Sequence, residues 1–356
     1  MHGAVASARS MVMETRHWQP ICEFPTDLVQ PVRLDPSGVS GPTRGQARSK
    51  QWRRCAHGWY VPANADASRV EQRILEQSVR LSDRGAITAW AALRWRGATY
   101  FDGRAHNGLV QLPVPLIRRS GRYPPGDASW RRHQLAGTER ELVRDVPCAT
   151  VQRALFDDMR FSSLRLAVRA MEMSAAAGLI STALMAEYVT DHPAWEGVPL
   201  VRQALTLSCD DARSPKETDL KIVWVLDAGL PYPLVNQPVF DHAGNLLGYP
   251  DLLDAEAGVV GEYDGVDHKD RDRHRQDVAR EQRYRDHGLE YFTVVGGDLH
   301  DTELVVKRML TTRHRAGFIP QENRRWTLTP SPWWPGAETL HDRLLRLGLH
   351  DALTHR

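Results

Sequence analysis

Cysteine is scarce in this chain: Cys22, Cys55, Cys148 and Cys209 are the four among 356 residues, and no Cys-x-x-Cys pair occurs. That spacing excludes a disulfide scaffold and a cysteine-rich zinc site, and the expected compartment is a reducing cytoplasm. Long apolar runs are missing too. No stretch nears the roughly 18 consecutive apolar residues of a membrane helix, so no membrane partner is expected. The opening MHGAVASARSMVMETRHWQP lacks the apolar core of a signal peptide, and Met11 and Met13 leave a later start open. The chain has no internal repeat, low-complexity tract, P-loop, dinucleotide fingerprint or nucleophile elbow, which removes the classes built on them. Excess charge of one sign is also lacking: 46 Lys and Arg stand against 44 Asp and Glu, a net of +2. A uniformly basic coating is excluded; a local basic surface is not, because net charge says nothing about distribution.

What is present is an ordinary folded composition, 42% hydrophobic, 25% charged and 8% aromatic. At about 100–200 residues per domain, this length predicts two or three domains. Residues 1–30 are expected to be poorly ordered or mis-started. Residues 31–66 begin Gly-, Pro-, Ser- and Thr-rich; QWRRCAHGWYVPA then reads as a strand or wing after a short helix starting near Pro42–Thr43. Residues 67–210 read as a mainly helical middle, from VEQRILEQSVRL to TALMAEYV, with short strands and loops between Gly97 and Gly137.

Residues 211–316 have a different grammar. A helix (SPKETDLKIVWVLDAG) precedes strands at PLVNQPVF, LLGYPDLL and GVVGEYD; a very polar helix, a buried strand (LEYFTVV) and a last helix follow. That order predicts an α/β unit around a small mixed sheet. Residues 317–356 form a Pro- and Trp-rich tail with a helix. The expected fold class is thus a multidomain α+β or α/β chain.

Carboxylates concentrate in the fourth segment. If Leu246–Leu253 and Val259–Asp264 pair as a hairpin around the four-residue loop Ala255–Gly258, Asp251 sits directly opposite Glu262. Two carboxylates about 4 Å apart repel by roughly 4 kcal/mol at an effective dielectric of about 20. A shared proton, a basic side chain or a divalent cation would offset that. Asp264, two residues beyond Glu262, projects from the same strand face. Three converging carboxylates suit Mg²⁺, which takes oxygen ligands. Blander readings stay open: Asp251 and Asp264 are also good turn residues, and Ser214-Pro215-Lys216-Glu217 is a capping box in which Glu217 only closes the helix start.

These residues carry a resemblance. Gly248-Tyr249-Pro250-Asp251, then Gly261-Glu262-Tyr263-Asp264-Gly265 with His268, then Asp277, Arg280 and Gly288, resemble the very-short-patch-repair-like branch of the PD-(D/E)XK nuclease superfamily. In actinobacterial proteins of this kind the domain lies C-terminal to a segment similar to the winged helix of AbiEi-type antitoxins. Here GPTRGQARSKQWRRCAHGWYVPA matches that segment. The resemblance implies a restriction-endonuclease-like fold, a Mg²⁺ or Mn²⁺ cofactor held by Asp251 and Glu262, and Glu217 as an outer or second-metal carboxylate. The wider superfamily has a lysine where this chain has Asp264; this branch uses histidine, for which His268 is the candidate base. Lys221, one turn from Glu217, and Lys269 are possible substitutes. The implied activity is phosphodiester hydrolysis of DNA. The alternatives are an antitoxin-like DNA-binding regulator on a degenerate nuclease fold, for which a toxin or a second copy is the candidate partner, and an RNA- or protein-interaction module.

Between Gly41 and His57 the chain carries Arg44, Arg48, Lys50, Arg53 and Arg54 and no acid. A recognition helix bearing Arg44 and Arg48 beside a wing bearing Lys50, Arg53 and Arg54 would hold DNA phosphates; a solvated basic loop is the plainer alternative. Five such contacts predict a log–log salt slope of about −4 to −5. Arg280, on the polar helix beside the carboxylates, is a further phosphate candidate.

Overall fold

A computed structural model describes residues 19–348 apart from 107, 119–127, 132–134, 266–270 and 337. Strands β1 (Val32–Arg33), β2 (Trp52–Ala56) and β3 (Trp59–Pro62) form an antiparallel sheet in the order β1-β3-β2. Its own core is small, three buried residues, Cys55, Val61 and Ala65. Polar ties to helix α1 (Val70–Ser78) supplement it. The Gln72 amide exchanges two 2.9 Å hydrogen bonds with the Val29 backbone, and Arg53 grips buried Glu76 with both terminal nitrogens at 2.7 Å. The helix expected after Pro42 is one 3₁₀ turn, Gln46–Arg48. Arg48 ends that turn and Arg44 lies just before it.

The middle is less helical than expected. Strands β4 (Ala86–Ile87), β5 (Val114–Ile117), β6 (Ala128–Arg131), β7 (Arg140–Val143) and β8 (Val146–Ala149) form a five-stranded mixed sheet, β6-β5-β4-β8-β7. Helices α2 (Ala89–Trp95), α3 (Val151–Met159), α4 (Leu164–Ala176), α5 (Thr182–Asp191) and α6 (Val198–Thr206) accompany it, and one large core unites the layers. Helix α4 shows the local logic. Ser163 caps its start by accepting the Leu166 N–H, Ala167, Val168, Met171 and Ala175 are buried at helical spacing, and Gly178 at φ +68° follows its end.

The C-terminal unit starts with α7 (Pro215–Ile222), with Ser214 at its cap and Pro215 in its first turn; a π-helical turn, Val223–Asp227, follows. Strands β9 (Val239–Asp241), β10 (Leu246–Gly248) and, from the tail, β14 (Trp326–Thr327) make one small sheet. A second contains β11 (Leu252–Asp254), antiparallel to β12 (Val259–Asp264), and β13 (Glu290–Val295), parallel to β12. A parallel pair needs a crossover, and α8 (Arg271–Asp286) supplies it. Along β12, Val259 joins the core shared with α7 and α9 (Thr302–Arg315), whereas Val260 joins the core containing Tyr284 of α8. Trp224 stacks on Phe292 with centroids 6.0 Å apart. The tail does not stand alone: besides β14, its helix α10 (Leu340–Arg346) places Leu344 in the middle core.

Candidate active site

The β11–β12 ladder pairs Leu252 with Gly261 and Asp254 with Val259, leaving Ala255–Gly258 as the loop. This is the register that puts Asp251, one residue before β11, level with Glu262. The single long strand expected over Leu246–Leu253 is instead two short ones in different sheets, with Tyr249-Pro250 carrying the chain between them. Asp251 is buried and its Oδ2 accepts the Tyr263 N–H at 2.9 Å. A loop residue thereby continues the ladder through its side chain.

Glu262 faces α8. Its Oε2 receives Arg280 Nη2 at 2.5 Å, and Arg280 also lies 2.9 Å from Asp277. Three buried atoms here have no hydrogen-bond partner: Glu262 Oε1, Arg280 Nε and the Tyr284 hydroxyl. Burial pushes the Glu262 carboxyl above its usual range, while the Arg280 charge and hydrogen bond pull it back. Burial, followed by the Glu262 charge, drives the Tyr284 phenol well above its ordinary value. Gly248 makes the packing possible, since a Cβ there would lie 2.3 Å from the Tyr284 hydroxyl.

Glu217 is drawn aside. In the first turn of α7 it accepts the Arg213 N–H at 3.1 Å and the Asn236 amide at 2.7 Å. Asn236, at φ +52°, donates its own N–H to Pro250. Glu217 therefore braces the segment carrying Asp251 through Asn236, a residue that sequence reasoning missed. Asp264 ends β12 with an exposed side chain. His268 and Lys269 lie outside the described residues.

Lys221 does not stand in for the missing lysine. It is buried against Glu172 of α4, with Leu207 O at 2.7 Å and the Tyr232 hydroxyl at 3.3 Å. Tyr284 was also overlooked, although its signal is in the sequence: it is the one aromatic of the polar helix and lies one turn beyond Arg280.

Among the described residues no group of three or more His, Cys, Asp or Glu side chains converges as a metal site. What the ladder sets level, one step beyond its last pair, is Asp251 with Glu262. The oxygen-only donors of these two residues and the unpartnered Glu262 Oε1 suit a hard divalent cation, but the Arg280 guanidinium holds the other oxygen.

Of the basic candidates, Arg44, Arg48, Lys50 and Arg54 are exposed, whereas Arg53 is committed inward to Glu76. Trp59 packs under the Arg33 guanidinium, 4.5 Å from its ring centre. On α8, Arg285 pairs with Glu281 as expected for a solvated face, while Asp277 pairs with Arg280. No helix among the described residues is long and apolar enough to cross a membrane. No family model matches the chain, and no curated protein or solved structure does either.

Proposed function

We propose that the chain is a metal-dependent DNA endonuclease hydrolysing phosphodiesters at the Asp251–Glu262 pair. The observation that carries this is the β11–β12 register, which sets buried Asp251 level with buried Glu262, whose Oε1 has no partner. A divalent cation held by Asp251 and Glu262 would supply charge stabilisation at a phosphate oxygen and a more acidic bound water. The chain's own residues do the rest. Asn236 and Glu217 fix the segment bearing Asp251, Arg280 offers a guanidinium for a backbone phosphate, and Arg44, Arg48, Lys50 and Arg54 hold flanking DNA. His268 is the proposed base. Plasmid nicking in Mg²⁺ or Mn²⁺ tests this beside the Asp251→Asn, Glu262→Gln double variant. Divalent-dependent nicking lost in the variant is expected; no nicking by the parent, or equal nicking by both, ends the reading.

A second reading has its own support. Arg280 already neutralises Glu262, and Asp264 stands where the wider superfamily has lysine. A DNA-binding regulator on a degenerate nuclease fold would bind a preferred duplex, for instance its own promoter, without cleaving it. Binding that survives the double variant, together with no nicking by the parent, selects this reading.

A further inference from the structure

The guanidinium on Glu262 is where this site departs from a metal centre at rest. Arg280 Nη2 reaches Glu262 at 2.5 Å and Asp277 at 2.9 Å, yet Arg280 Nε, Glu262 Oε1 and the Tyr284 hydroxyl are buried without partners. Buried polar atoms are normally satisfied. Three orphans around one ion pair mark an arrangement that is incomplete as it stands. The two ends of the pair also differ in access: the Glu262 side chain is 7% exposed and that of Arg280 26%. The guanidinium therefore has a route to solvent, and Asp277 lies within its reach.

We infer that Arg280 is an internal cation that holds Glu262 until nucleic acid arrives, so that divalent-ion binding at Asp251–Glu262 is coupled to phosphate binding by Arg280. This rests on the endonuclease reading. A divalent ion at the unpartnered Glu262 Oε1 would share one carboxylate with the Arg280 guanidinium on Oε2, so the two cations repel and each weakens the hold of the other. A phosphodiester offers the planar guanidinium two parallel hydrogen bonds, a better match than one carboxylate oxygen. Once Arg280 turns to phosphate, Glu262 is a buried carboxylate without a cation, a state that strongly favours taking one up. Linkage makes the effect mutual: DNA raises metal affinity by the factor by which metal raises DNA affinity.

The test is Mn²⁺ binding by the full chain, read as free Mn²⁺ by electron paramagnetic resonance, with and without a short synthetic DNA duplex. The parent is expected to bind Mn²⁺ weakly alone and roughly tenfold or more tightly with the duplex. Arg280→Gln is expected to bind tightly without DNA and to gain little from it. Equal affinity in the parent with and without DNA overturns the coupling, and this arm needs no variant to fold. So does an Arg280→Gln protein, folded by circular dichroism, that binds Mn²⁺ no better than the parent. Either result leaves the endonuclease reading to the nicking assay. No Mn²⁺ binding in any sample removes the metal site and the coupling together.

Discussion

Lys221→Met tests whether the buried lysine of α7 is a structural tie or part of the chemistry. Lys221 and Glu172 have side chains 1% and 0% exposed, so neither charge has water to turn to. Glu172 also accepts the Cys209 N–H at 2.9 Å and the Thr218 hydroxyl at 2.6 Å. The Cys209 thiol donates to it as well, at 3.4 Å; removing the lysine leaves a buried carboxylate with only these neutral donors, and stranding one partner of a buried pair costs about 3–5 kcal/mol. Replacing both, as Lys221→Met with Glu172→Leu, removes the charge problem. Leu207 O then keeps the Tyr232 hydroxyl at 3.2 Å, and Thr218 keeps Ser214 O at 3.4 Å. The Cys209 N–H is the main group left without its acceptor, at about 1–3 kcal/mol. The double variant is therefore expected to be more stable than Lys221→Met alone in urea unfolding, and to nick DNA like the parent. A Lys221→Met cost below about 1 kcal/mol, or single costs that simply add, would refute the buried-pair argument. Lost nicking in the folded double variant would refute the structural assignment of Lys221.

Arg53→Ala should destabilise by about 2–3 kcal/mol, because it strands Glu76 at 5% exposure, and should leave the salt slope of DNA binding unchanged; an altered slope at parental stability reverses that assignment. Arg44, Arg48, Lys50 and Arg54 changed together to Ala should shallow the slope by about 3–4, at roughly 0.9 per phosphate contact, and a parental slope removes this surface from the interface. Gly261→Ala should cost about 1–3 kcal/mol by overpacking, since its Cβ would lie 2.4 Å from the Phe292 ring; an unchanged Tm would contradict it. Asp298 is held below the usual carboxylate range by Arg308 at 2.7 Å and the Val295 N–H. A depressed carboxyl stabilises the fold above its unfolded pKa and loses that contribution as pH falls through the folded value. Asp298→Asn should therefore be less stable than the parent near neutral pH and converge with it in acid; a gap unchanged in acid would exclude the link.

The hairpin register was legible because it depends on local facts: a four-residue loop with Gly258 at φ +78°, and apolar residues on both sides of it. The start of α7 was legible for the same reason, from Ser214 and Pro215. The middle sheet was not. Its strands are two to four residues long and two carry a proline, Pro115 and Pro147, so none is long enough for a period to register. The break at Tyr249-Pro250 escaped because an apolar run on each side reads as one strand, whereas only tertiary pairing sends β10 and β11 to different sheets. Arg280 and Tyr284 visibly share a helix face; that this face meets Glu262 depends on how α8 crosses from β12 to β13.

The near-equality of 46 basic and 44 acidic residues invites explanation as two opposed functional surfaces averaged together, a basic DNA-holding one and an acidic metal-holding one. The structure locates part of the balance elsewhere. Arg53–Glu76, Arg94–Glu71, Arg153 with Glu139 and Asp157, Lys221–Glu172, Arg280–Glu262 and Arg313–Asp254 each join a base to a buried acid. A charge removed from water must be paired, hydrogen-bonded or neutralised; these seven acids are met by bases, whereas buried Glu217 is met by the Asn236 amide and the Arg213 N–H. The argument for DNA narrows to the charges the interior has not consumed: Arg44, Arg48, Lys50 and Arg54, exposed and in no salt bridge among the described residues. Arg280 belongs to both sets, bonded to Glu262 within the fold and suited to phosphate outside it, and for that reason its substitution separates a nuclease that waits for DNA from a fold that only binds it.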